Sequence, residues 1–157
     1  MEIERKFLTK SEEIPFDITA YPYLDISQSY LSFSPTIRLR KSNEDYILTV
    51  KGKGHLAREE FELPLSRREY ETLLLKTEGN TVRKKRYLVP LPEGLTAEID
   101  IYGGELMGLV TTEVEFSSLQ AAADFCPPLW FGRDVSREKA YKNTALAQYG
   151  LPKELLK

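Results

Sequence analysis

Six pairs of like charges, each split by one residue, recur along this chain: Glu2/Glu4, Arg38/Arg40, Glu60/Glu62, Lys84/Arg86, Glu98/Asp100 and Glu113/Glu115. In extended backbone, residues i and i+2 share a face, so each pair points one way. Like charges side by side on a sheet cost up to roughly 1 kcal/mol. Converging carboxylates repel until a divalent cation neutralises them. Paired arginines and lysines likewise repel until an anion arrives. Arginine grips phosphate oxygens through two donors at once, and lysine adds a compact charge. The two sets together suit a metal-bridged polyphosphate, with cations on one side and carboxylate-held metal on the other.

The elements that must position these residues are strands. Alternation predicts them over 1–8, 26–33, 36–42, 45–52, 57–64, 81–89, 96–102 and 109–116. In the first, Glu2, Glu4 and Lys6 oppose Ile3 and Phe7. Further along, Arg38 and Arg40 oppose Ile37 and Leu39, and Thr49 and Lys51 oppose Leu48 and Val50. Gln28 and Tyr30 share one face of the second strand. Ser34-Pro35, Ser42-Asn43-Glu44 and Gly52-Lys53-Gly54-His55 read as hairpin turns. Helical signals lie at 66–77, where Ser66 can cap, at 117–124, and at 136–149, ending at Gly150. The expected class is mainly β (α+β), a single domain over 1–157, as an antiparallel barrel or sandwich with packed helices.

Antiparallel sheets commonly show water a polar face. Here, however, signs segregate by strand: acids on the first, fifth, seventh and eighth, bases on the third, fourth and sixth. A solvated face has no reason to sort charge in this way. A barrel with these faces turned inward must be wet when empty, because burying each charge dry would cost several kcal/mol.

The chain of 157 residues carries 22 Lys and Arg against 24 Asp and Glu, a net charge of −2. No global field favours nucleic acid or acidic membranes. One cysteine, Cys126, excludes an internal disulfide and reads as a small buried apolar residue. No apolar run reaches membrane-spanning length and the first residues read as a charged strand, so a cytoplasmic protein is expected. His55, the single histidine, reads as a solvated loop residue. Gly52-Lys53-Gly54 lacks the spacing and strand-to-helix context of a phosphate loop. Lys53 and Arg58 fit either a tunnel mouth or turn-adjacent surface. Tyr141, Leu146 and Tyr149 read as packing.

The whole set resembles the CYTH, or triphosphate tunnel metalloenzyme, superfamily. Its hallmark Glu-x-Glu-x-Lys is matched by Glu2-Ile3-Glu4-Arg5-Lys6. The later segments follow in order: Arg38-Leu39-Arg40, Thr49-Val50-Lys51, Glu60-Phe61-Glu62, Lys84-Lys85-Arg86, Glu98-Ile99-Asp100 and Glu113-Val114-Glu115. The segment from Asp134 to Asn143 looks like the family's C-terminal helix. The resemblance implies an eight-stranded antiparallel closed barrel, a tunnel open at both ends, with helices outside. It implies one or two Mg²⁺ or Mn²⁺ ions on Glu2, Glu4, Glu113 and Glu115, with Asp100 as a further candidate. Lys6, Arg38, Arg40, Lys51, Lys84 and Arg86 are the implied phosphate binders, and Tyr30 could touch ligand. Glu4, Glu60, Glu62, Lys84 and Arg86 are the implied catalytic set. The expected activity is removal of the terminal phosphate from a triphosphate, with inorganic triphosphate first. A class IV adenylyl cyclase, a thiamine or nucleoside triphosphatase, a non-catalytic polyphosphate- or nucleotide-binding module and a structural β-sandwich remain alternatives. The partner is a small-molecule triphosphate, and apolar outer faces permit a homodimer.

Overall fold

The computed structural model describes residues 2–53 and 57–156; the predicted turn at Gly54-His55 lies outside them. Ten strands form one antiparallel sheet: β1 (Glu2–Leu8), β2 (Tyr23–Ser32), β3 (Thr36–Ser42), β4 (Asp45–Lys51), β5 (Ala57–Arg58), β6 (Glu60–Leu65), β7 (Glu78–Pro90), β8 (Thr96–Tyr102), β9 (Val110–Glu115) and β10 (Arg133–Asp134). Their order is β10-β1-β9-β8-β7-β2-β3-β4-β6, and β5 returns to β1 through Glu2↔Arg58 and Ile3↔Ala57. The sheet thus curls into a nearly closed barrel. The sequence predicts eight strands; two more arise because the ladder breaks at Glu59 and because Arg133–Asp134 pairs with the far end of β1. A two-residue strand is too short for alternation to mark it. Gly132, at φ +85, lets the chain arrive there, since a Cβ would sit 2.1 Å from the Leu8 carbonyl oxygen.

Cross-strand partners share a face, so register decides where the charges point. The pairs Glu4↔Glu115, Lys6↔Glu113, Glu98↔Glu113, Arg86↔Asp100, Gln28↔Arg40, Tyr30↔Arg38, Arg38↔Thr49 and Lys51↔Glu60 carry one continuous face around the interior. Across the outer wall, Phe7, Ile99 and Val114 pack with Val89, Ala97 and Phe131. Helix α2 (Leu119–Asp124) covers this cluster, capped by Ser118, whose hydroxyl accepts from Ala121 N. Arg5 points outward and donates to the carbonyls of Ala122 and Phe125 at 3.0 and 2.9 Å, satisfying the helix end. Helix α1 (Arg67–Leu74) begins at a Ser66/Glu69 capping box.

A second apolar cluster joins Tyr30, Val82 and Tyr102, from the inner face, to Leu109, Val135, Tyr141 and Leu146. With helix α3 (Asn143–Tyr149) it fills one end of the bore, which corrects the expectation of a tunnel open at both ends. The predicted helix over 136–149 is likewise broken. A 3-10 turn at Lys139–Tyr141 precedes an extended Lys142, and the Tyr141 carbonyl accepts from Lys6 Nζ at 2.6 Å. Cys126 is exposed, because Phe125 and Trp130 take the apolar positions beside it. Tyr149 is exposed too, on the outer side of α3.

Candidate metal and phosphate site

The cavity left in the bore is lined by carboxylates on one wall and cations on the other. Strands β1 and β9 bring Glu4 opposite Glu115, with Glu2 two residues along the same face. One carboxylate oxygen from each lies within 4.8 Å of the others. An all-oxygen donor set of this kind suits a hard divalent cation. Glu2 is compensated: Lys51 Nζ sits 3.1 Å away and Arg58 Nε 4.0 Å away. Burial would raise its carboxyl, but Lys51 and the remaining contacts hold it near 2. Glu4 has no ion pair among the described residues. Burial, then Glu113 and Glu2, push it up to about 8. Glu115 is raised by burial, Glu2 and Glu113.

Opposite stand Arg38, Arg40, Lys51 and Arg58. Arg40 donates to Gln28 Oε1 at 3.2 and 2.8 Å. Arg38 donates to Thr49 Oγ1 at 3.2 Å, but its buried Nε has no hydrogen-bond partner among the described residues. An orphaned donor of this kind is costly unless a ligand meets it. Burial, Arg38 and Arg86 lower Arg40 to about 10.

Behind the cavity the charges are paired. Asp100 is fully buried and accepts from Arg86 Nε and Nη2 at 2.8 and 2.9 Å, with Lys84 Nζ 2.7 Å away. Burial alone would raise Asp100, yet Arg86 and Lys84 hold it well below the usual carboxylate range. Burial drives Lys84 down to about 7, with Asp100 opposing. Arg86 continues to Glu113 at 3.3 Å and Glu98 at 3.4 Å, and Lys6 lies 3.7 Å from Glu113. Glu98 is raised to about 7, by burial foremost.

Of the residues singled out in the sequence, Glu2, Glu4, Lys6, Tyr30, Arg38, Arg40, Lys51, Arg86, Glu113 and Glu115 line the cavity. Lys84 and Asp100 lie behind it. Glu60 reaches its edge, 3.6 Å from Lys51 Nζ. Glu62 is exposed and outside the lining. Arg58, which the sequence left between tunnel mouth and surface, belongs to the lining. The sequence reading missed Thr36, Ser136, Lys142, Asn143 and Thr144. Four of these come from the C-terminal segment, whose residues follow no strand alternation. Long-range contacts bring that segment over the bore: Lys6 Nζ donates to the Tyr141 carbonyl, Val135 N donates to the Lys6 carbonyl, Lys6 N donates to Ser136 Oγ, and Tyr102 OH donates to Asn143 Oδ1.

The CYTH domain model matches residues 1–121. An inorganic triphosphatase of Nitrosomonas europaea is 41% identical over 150 residues, covering 93% of this chain and 96% of that protein. One from Acetivibrio thermocellus is 32% identical, covering 94% and 93%. The crystal structure of an inorganic triphosphatase superposes with a TM-score of 0.68 at 38% identity, covering 94% of each chain. A Hippeastrum protein at 15% identity shares the fold, with a TM-score of 0.63 over 78% of this chain and 83% of its own. With its matched domain and its register-matched interior, this chain belongs to the CYTH domain family.

Proposed function

We propose that this protein hydrolyses inorganic triphosphate to pyrophosphate and phosphate inside the bore. One observation carries the reading: three converging carboxylates face a wall of cations that includes an orphaned arginine donor. The inorganic triphosphatase relatives support the substrate. The filled end supports it as well, since a free triphosphate has no organic group to accommodate there.

Glu2, Glu4 and Glu115 would hold Mg²⁺ or Mn²⁺. The bound ion would neutralise phosphate oxygens and polarise the phosphorus under attack. Arg38 and Arg40 grip the phosphates, while Lys51, Arg58, Lys6 and Arg86 offset the charge that builds on the leaving pyrophosphate. Glu60, at the cavity's edge 3.6 Å from Lys51 Nζ, would take a proton from water as the new P–O bond forms. The bridging P–O bond breaks and its electron pair leaves with pyrophosphate. Lys84 and Asp100 act through Arg86, which they fix in place. Glu113 is held between Arg86 and Lys6 and sets their positions.

Phosphate release from triphosphate, ATP and thiamine triphosphate, with Mg²⁺ and with EDTA, tests this. Metal-dependent release, fastest from inorganic triphosphate, is the expected result. Preference for a nucleotide, or turnover in EDTA, would overturn it. No helix among the described residues is long and apolar enough to cross a membrane.

A further inference from the structure

Strand β2 points Ile26, Gln28 and Tyr30 inward and Ser27 and Ser29 outward, where helix α1 crosses the wall. Elsewhere the wall under the helices is apolar. Here a groove runs between α1 and strands β2, β3 and β7, floored by Ser27, Ser29 and Thr81. Ser29 and Thr81 share a hydrogen bond at 2.9 Å. Ser27 pairs with Lys41 on one side and with Arg83 on the other. One strand, β2, therefore lies between the cations, two inter-strand spacings or about 10 Å between backbones, and both side chains flank one small hydroxyl. Neither side chain makes an ion pair or hydrogen bond among the described residues. Arg67 adds a third cation from α1, and the single acid in the groove, Glu71, lies 3.7 Å from it. Tyr46 extends the same row beyond Lys41.

We propose that this groove is a second anion site, outside the bore, that takes a phosphoryl group. The arrangement has what such a group needs: two uncommitted cations spaced to reach oxygens from opposite sides, and a hydroxyl donor between them. Helix α1 roofs the site, and the flooring serines leave depth that larger side chains would fill. A pyrophosphate spans the gap between the cations. A mononucleotide would place its phosphate there and its base against Tyr46. The site stands independently of the reaction in the bore.

Isothermal titration of the metal-free full chain with pyrophosphate, and separately with AMP, tests the proposal. Three proteins are compared: wild type, Lys41→Ala/Arg83→Ala, and Arg38→Ala/Arg40→Ala. The bore variant is expected to keep one equivalent of bound ligand. The groove variant is expected to lose that equivalent or bind it about tenfold or more weakly, the scale of a lost charge-assisted hydrogen bond. Its triphosphate turnover and circular dichroism stay at wild-type values. Tighter binding of AMP would identify a nucleotide as the source, and tighter pyrophosphate a free polyphosphate. If the bore variant binds neither probe, or the groove variant binds both with wild-type stoichiometry and affinity, the second site does not exist. A loss of triphosphatase activity in wild type would leave these titrations unaffected, so the two readings fail separately.

Discussion

The floor and the wall of the bore hold the same kinds of side chain in opposite states. On the floor, Lys84, Asp100, Arg86 and Glu113 are ion-paired with one another at 2.7 to 3.3 Å. On the wall, Glu4 and Glu115 face Glu2 and Glu113 with their carboxyls raised, and Arg38 keeps a donor unused. The difference separates structure from chemistry: a charge with its partner built in holds the barrel, while a charge lacking one waits for a ligand. Buried ion pairs contribute modestly as pairs but cost heavily when one member is removed.

That contrast breaks first at the floor. Asp100→Ala strands two buried cations and should cost about 3–5 kcal/mol. At roughly 2–4 °C per kcal/mol for a chain of this size, a thermal melt would show a fall of about 6–20 °C, if the variant folds. An unchanged melting temperature would mean that the floor is not the structural half. At the wall, Glu4→Gln should leave the metal-free melting temperature equal or higher, since it removes repulsion. Turnover of triphosphate should fall by about 10²-fold or more, read in single-turnover phosphate release. Near-normal turnover in the folded variant would take Glu4 out of the reaction.

Acidity sharpens the same comparison. Glu4 and Glu98 hold protons to about 8 and about 7 when folded, against 4.5 as the ordinary value. Raised carboxyls stabilise fully below about pH 4.5 and lose that contribution as pH rises through the folded value. Glu2 and Asp100 work oppositely, but their windows lie at and below the ordinary carboxylate range. Lys84, lowered to about 7, adds stability only from pH 7 upward. The metal-free melting temperature should therefore decline from pH 5 to 7, level off between 7 and 8, where the loss at Glu4 and the gain at Lys84 offset each other, and recover above 8. Mg²⁺ should raise it more at pH 8 than at pH 6, because the wall must deprotonate to bind. A metal-free melting temperature that climbs between pH 5 and 7 would contradict the assignment. The smallest effect belongs to Glu62→Gln. An exposed charge outside the lining should change turnover less than about twofold, and a larger loss would return it to the site.

The wall was legible in the sequence because alternation alone decides which side chains share a face. Glu2, Glu4, Arg38, Arg40 and Lys51 needed nothing but the period of two to be grouped. Sign segregation then indicated that the faces turn inward together. The division of labour between wall and floor was not legible, because it depends on cross-strand register. Nothing in the spacing of Glu98-x-Asp100 says that Arg86 lies opposite Asp100 while Glu4 lies opposite another acid. The filled end was hidden for a similar reason. Residues 135–146 reach it as a broken chain of turn, extended residue and helix, and a broken chain has no period. Arg5 alternates with Glu2, Glu4 and Lys6 and so falls on the face of Ile3 and Phe7, but nothing in that parity shows that it clamps α2.

The carboxylates and the cations of the bore need each other's ligands. Thermal melts of the protein with Mg²⁺ alone, with a non-hydrolysable triphosphate analogue alone, and with both together test that directly. The shift with both should exceed the sum of the separate shifts, because each ligand neutralises the charge that the other leaves exposed. A shift from Mg²⁺ alone as large as the joint one, or simple additivity, would show that the carboxylates and cations act as two unrelated sites.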